Sequence, residues 1–281
     1  MQSPSKDLTL SIITDLIIKI IHPEIIICFG KRSKQQTQFT CFREAVAEKT
    51  TTAYDLLIIA GNTGTRSTHE WEHVIETRCI DFAPLTVLVH TVTETMQAIE
   101  QGNPFFINAF SKGIMLYHSG KATITIPHAW QRSEQDMEKQ NSHWQRGYGS
   151  AGQFLEGAAF YSAANQYRHA AFMLHQSAEA ACNSLIKLFT GYRTCTHNIS
   201  RLLGLIENFT LRLTPIFPAN TPEEKHLLAL LVKAYSGARY QEAYSITKEE
   251  LTILLQRVTN LYTIAGKLGR KKLAAHLQPF E

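Results

Sequence analysis

The strongest constraint on this 281-residue chain is a change of hydrophobic rhythm near Pro127. Before it, "EIIICF", "YDLLIIA", "LTVLVH", "IMLYH" and "ATITI" alternate with segments of helical spacing such as "STHEWEHVIETRC". Short runs rich in Ile, Leu and Val suit buried strands, and the intervening segments suit covering helices. After Pro127 only helical periodicity remains. The pattern predicts an α/β sheet domain over residues 1–127 and an all-α, up-and-down bundle of four or five helices over residues 128–281.

The helical half is well punctuated. Two antiparallel helices are expected in "FLEGAAFYSAANQYRHAAFMLHQSAEAACNSLIKLFTGY", with the turn near Asn165 and Gly191 closing the second. "TPEE" and "TKEE" each pair a threonine with a glutamate three residues on, at Thr221 and Thr247, as capping boxes do. In the first half, "LTLSIITDLIIKII" reads as an amphipathic helix that stops before Pro23. Asp15, Lys19 and His22 interrupt its apolar run, which excludes a membrane span there.

A net charge of +4 permits an anionic ligand without marking a dedicated nucleic-acid binder. Cys28, Cys41, Cys79, Cys182 and Cys195 are scattered and form no CxxC, which fits free thiols in a reducing cytoplasm.

Several separated motifs resemble known families. "QYRHAAFMLHQSAEAACNSLIKLFTGYRTCTHNISRLL", with its Gln176 and Glu179, and "YSGARYQEAY" resemble a HEPN domain. Gly30, "YDLLII", "LTVLVHT" and "GNPFFINAFSKGIMLYHSG" resemble the nucleotidyltransferase domain that often accompanies it.

The nucleotidyltransferase resemblance implies a Gly-Ser before a helix, an Asp-x-Asp at a strand start and a third carboxylate on a neighbouring strand, which together hold Mg²⁺. Here Lys31 follows Gly30, Ala53 stands at the first aspartate position, Asp55 matches the second, and "PLTVLVH" offers no carboxylate. The site is therefore read as degenerate. Mg²⁺ would bind through Asp55 only if transfer survived, with Glu44 or Asp81 as substitute carboxylates. A reduced role remains for Gly30, Lys31, Arg32 and Lys34 as a phosphate site.

The HEPN resemblance implies an Arg-x(4–6)-His ribonuclease motif shared across a homodimer cleft, with no metal. Arg193 and His197 match its two residues, separated by three rather than the usual minimum of four. A helix start near Thr194 or Thr196 would place Arg193 at a helix N-terminus, where a bound phosphate would offset the dipole. Arg239 and Tyr240, from the Ala-Arg-Tyr motif, would line the same cleft. Related domains bind nucleotides without cleaving RNA. In others a nucleotidyltransferase modifies a tyrosine two residues after the histidine, where this chain has Ile199.

Two further features compete. "HEWEH" at residues 69–73 satisfies HExxH, with Glu94 as a third zinc ligand. Lys267, Arg270, Lys271 and Lys272 form a basic run suited to a helix end or to an acidic partner. The sequence therefore points to a nucleotide- or RNA-phosphate-binding regulatory protein, expected to form a homodimer through its helical domain; alternatives are a metal-independent ribonuclease and, third, a Mg²⁺-dependent transferase.

Overall fold

The computed structural model describes residues 7–38, 47–127 and 133–276. The chain divides into two compact units, Met1–Trp130 and Gln131–Glu281.

The first unit runs α1 (Leu8–Ile21), β1 (Ile25–Gln38), β2 (Ala47–Ala60), α2 (Thr68–Cys79), β3 (Leu85–Thr91), α3 (Val92–Glu100), α4 (Pro104–Lys112) and β4 (Ile114–His118). The sheet order is β3-β2-β1-β4, with β1 antiparallel to β2 and β4, and β2 parallel to β3. Strand side chains alternate between faces. One set, including Ile26, Cys28, Leu56, Ile58, Val87 and Val89, packs on Ile13 and Ile17 of α1 and Ile75 of α2. The other set includes the buried Ile25, Ile27, Leu57, Ile59 and Leu88, and Phe29 meets Phe105 of α4 edge-on at 5.3 Å. Burial on both faces explains why these strands read as continuous apolar runs. Asp7 caps α1 through the Leu10 N–H, and His22 ends it at φ 47° before Pro23.

Two expectations change here. "ATITI" joins no ladder. Nor does a helix follow Gly30: β1 continues through it to Gln38 and forms a long hairpin with β2, with a register shift between Cys28 and Gly30. Past Gly30 the strand carries polar residues, of which Lys31, Ser33 and Lys34 are exposed, so no apolar period betrayed it in the sequence.

The outer edge of β3 is closed by a helix. Glu76 accepts the Val87 N–H at 2.8 Å and Glu72 accepts the Val89 N–H at 3.1 Å. One turn of α2 advances about 6 Å over four residues, close to the roughly 6.6 Å between alternate strand residues. Two glutamates thus stand in for a neighbouring strand and mask an edge that would otherwise invite pairing.

The second unit comprises α5 (Glu134–Ala163), α6 (Tyr167–Thr190), α7 (Ile199–Ile206), a 3-10 turn (Thr214–Ile216), α8 (Pro222–Tyr240) and α9 (Lys248–His276). Asn165 turns the chain at φ 58° and Gly191 ends α6 at φ 78°, as expected. Both capping boxes form, at Thr221–Glu224 and Thr247–Glu250. The long helices alternate in direction. Gln140 reaches the Leu188 carbonyl and Ser177 reaches that of Ala151, so α5 and α6 run antiparallel. His175 meets the Leu231 carbonyl and Arg168 caps carbonyls of Gly237, Ala238 and Gln241, so α8 runs antiparallel to α6. Tyr148 stacks on Tyr262 at 4.3 Å between α5 and α9.

Candidate functional site

In the sheet unit, strand alternation separates the basic residues. Lys31 points toward α1, where its Nζ lies 2.8 Å from Asp7, which also accepts the Tyr54 hydroxyl at 2.7 Å. Arg32 points to the opposite face and meets Asp55 at 2.7 Å. Asp55 is fully buried, and Arg32 is 16% exposed. Gly30 lies opposite Asp55, Arg32 lies opposite Ala53, and the parallel neighbour of Asp55 is Thr86. Of the three carboxylates the resemblance implies, Asp55 alone is present: Ala53 stands at the first position and the strand beside Asp55 offers Thr86, while a guanidinium supplies the positive charge beside Asp55. These residues do not fit a divalent cation, which needs several oxygen ligands. Among the described residues no group of three or more His, Cys, Asp or Glu side chains is arranged to hold a metal. Asp81 is exposed in the turn after α2, and Glu44 lies outside the described residues.

The HExxH helix is committed elsewhere. Glu70, its expected base, accepts the Ser67 N–H at 2.7 Å and the Ser67 hydroxyl at 2.9 Å; those bonds hold it below the usual glutamate range. Glu72 caps β3 and meets His69 at 3.2 Å. His69 and His73 are exposed, and Glu94 closes the capping box of α3.

In the helical unit α7 begins at Ile199 with Asn198 as its cap, so Arg193 lies in the preceding loop rather than at a helix N-terminus. That removes the dipole argument for a phosphate at Arg193. The loop runs back along α6: Thr194 hydrogen-bonds Asn183, and His197 Nδ1 meets Glu179 at 2.9 Å. Glu179, Asn183 and Lys187 recur every four residues, on one face of α6. Arg193 and His197 therefore belong to different turns of that face.

Glu179 is the hub. Its second oxygen lies 3.2 Å from Nε2 of the buried His175, whose Nδ1 meets the Leu231 carbonyl at 2.9 Å. Burial opposes ionisation of Glu179, but hydrogen bonds from His175 and His197 outweigh it and hold the carboxyl below its usual range. His197 stacks on Tyr235 at 4.3 Å with 13° between rings, and its side chain is 51% exposed. The Arg239 guanidinium lies 4.3 Å from the Tyr235 ring centre, 4.9 Å from Tyr240 and 5.1 Å from Phe172. Arg239 and Tyr240 thus join His197 through Tyr235, an aromatic surface carrying a guanidinium, with the half-buried Glu179 carboxylate behind it. Arg193 instead lines a hollow with His143 and Lys187, which the sequence motifs did not single out. Those two residues come from different helices, and only the packing of α5 on α6 brings them together.

Residues 145–268 match the HEPN domain family. The span includes α6, α7, α8 and most of α5 and α9, with Glu179, Arg193, His197, Tyr235 and Arg239, and it bears out the resemblance drawn for the helical half. It covers less than half of the 281 residues. No curated protein matches the chain. Among the described residues no helix is long and apolar enough to cross a membrane.

Proposed function

We propose that this protein recognises the phosphate of a nucleotide or RNA through its helical unit, in a regulatory role, and does not transfer nucleotidyl groups. The sheet unit is read as a nucleotidyltransferase-like domain whose metal site has been lost, and the chain as a cytoplasmic homodimer paired through the helical unit. The observation that carries the reading is the placement of the exposed Arg239 guanidinium among the rings of Tyr235, Tyr240 and Phe172. An exposed guanidinium set among aromatic rings suits a ligand with both phosphates and bases, since the rings stack on bases and the guanidinium meets phosphate. The Arg32–Asp55 pair supports the loss of transfer, because it occupies with a guanidinium the place where a metal would be needed.

Binding of a fluorescent oligoribonucleotide, with and without Mg²⁺, tests the reading. Arg239→Ala and Tyr235→Ala are expected to weaken binding about tenfold or more, the scale of one lost stacking contact. Asp55→Asn and Mg²⁺ removal are expected to leave it unchanged. Nucleotidyl transfer that requires Mg²⁺ and Asp55 would overturn it.

A second reading, metal-independent RNA cleavage, is favoured by one observation. A carboxylate on one nitrogen of a half-exposed imidazole is how a general base is oriented. Cleavage of the oligoribonucleotide that disappears in His197→Ala would establish it; intact RNA with binding retained in His197→Ala would establish the first reading.

A further inference from the structure

We propose that the hollow between α5, α6 and the loop after α6 is an anion site for a phosphate monoester, the doubly charged phosphate at the end of a nucleotide or of an RNA strand. It has a volume of about 280 Å³ and is lined by His143 and Trp144 of α5, Asn183 and Lys187 of α6, and Arg193 and Thr194 of the loop. The inference deepens the proposed phosphate recognition and rests on that reading, but on different residues.

Three observations carry it. First, the hollow gathers Lys187, Arg193 and His143 from three separate elements, and no acidic side chain among the described residues lines it. Arg146, one turn along α5 from His143, bonds that ring at 3.2 Å from an adjoining hollow that Glu138 also lines. Second, the groups repel one another. Burial comes first in lowering the Lys187 ammonium, and the charges of Arg193 and Arg146 add to it. His143 is likewise lowered, by burial and then by Lys187, Arg146 and Arg193. Like charges that disfavour each other are relieved by a bound anion. Third, the hollow is built on packed helices. Trp144 is 3% exposed and stacks on Tyr148 at 4.8 Å, and Thr194 is tied to Asn183, so the loop carrying Arg193 is held against α6.

The ligand class follows from charge and size. Lys187 and Arg193, with Arg146 beside them, carry more positive charge than one internal phosphodiester, with its single charge, would neutralise. The dianion of a phosphate monoester accepts several charge-assisted hydrogen bonds at once. The hollow lies about two turns of α6, roughly 12 Å, from Glu179 and the His197–Tyr235 surface. A terminal phosphate held here would leave the adjoining nucleotides to run toward that surface.

The test is a titration of the full chain with inorganic phosphate at constant ionic strength, following the His143 ring signals by NMR, assigned through His143→Gln. A saturable rise in the His143 titration midpoint is expected, because a bound dianion reverses the local field, and equivalent chloride is expected not to produce it. Lys187→Gln and Arg193→Gln are each expected to weaken phosphate at least tenfold, as loss of a charge-assisted bond does. A second arm compares AMP with adenosine, and a 5′-phosphorylated tetraribonucleotide with its 5′-hydroxyl counterpart. Preference for AMP alone assigns the site to mononucleotides, and preference for both includes RNA ends. No phosphate-dependent shift, or a shift that survives Lys187→Gln in a variant with wild-type melting, overturns the inference. RNA binding that persists without any 5′-phosphate preference would overturn this site while leaving the proposed function standing. Phosphate binding at the hollow without RNA or nucleotide binding elsewhere would do the reverse.

Discussion

Replacing Arg32 by methionine is the sharpest probe of the sheet unit. The substitution keeps much of the aliphatic stem and removes the guanidinium that lies 2.7 Å from a fully buried Asp55. Two unit charges about 4 Å apart interact by about 4 kcal/mol at an effective dielectric constant of 20. Breaking a buried pair from one side costs about 3–5 kcal/mol, because the remaining charge is stranded. Arg32 retains 16% exposure, which sets the expectation at the lower end, about 3 kcal/mol. Hydrogen exchange reads this locally. Amides of β1 and β2 that exchange through unfolding of the unit are expected to exchange about a hundredfold faster, since each 1.4 kcal/mol is about tenfold. Arg32→Met combined with Asp55→Asn removes both charges and is expected to recover most of the loss, giving a coupling energy of about 2 kcal/mol. Protection in Arg32→Met within threefold of wild type would refute the reasoning. So would restoration of that protection by millimolar Mg²⁺, which would show Asp55 accepting a metal once the guanidinium is gone.

Three other outcomes are expected. Glu179→Gln should cost about 2 kcal/mol near pH 7, the scale of hydrogen bonds to a charged group. Because the folded carboxyl titrates below its usual 4.5, that contribution is complete above the unfolded value and fades as pH falls below it, so urea midpoints of the two proteins should converge under acid conditions. Glu76→Ala removes the acceptor of the Val87 N–H and should cost about 1–2 kcal/mol, seen as faster Val87 exchange and greater aggregation through the uncovered β3 edge. Gly269→Ala should lower the melting temperature although alanine is the better helix former by about 1 kcal/mol, because the new methyl group meets the Trp144 indole; an unchanged or higher melting temperature would contradict that packing.

Much of the architecture was legible in the chain because its signals are local. Apolar runs marked all four strands, and β1, β2 and β3 most plainly, since their apolar segments are buried on both faces and need no partner to reveal them. Capping boxes at Thr221 and Thr247 and the glycine at 191 placed helix ends, because caps satisfy backbone groups within a few residues. That Ala53 offers no side-chain metal ligand was readable as well, because that needs no fold to establish.

What the chain alone did not decide depends on residues far apart in sequence. That Arg32 neutralises Asp55 follows from hairpin register, which puts Arg32 and Asp55 on one face and Lys31 on the other. The extension of that hairpin past Gly30 is polar in sequence and so left no apolar period to read. Arg193 and His197 looked like one motif by spacing, but α7 starts later than expected and the loop lies along α6, so each meets a different turn. Glu179 serves two histidines, one from α6 itself and one from the loop, and only the fold of that loop brings the second to it. Lys187 and His143 carry no motif, because a charge cluster assembled across two antiparallel helices exists only once those helices pack. Local patterns determine which elements form, since backbone hydrogen bonds and burial act over a few residues. Tertiary packing decides which side chains meet, and with them the chemistry this protein can perform.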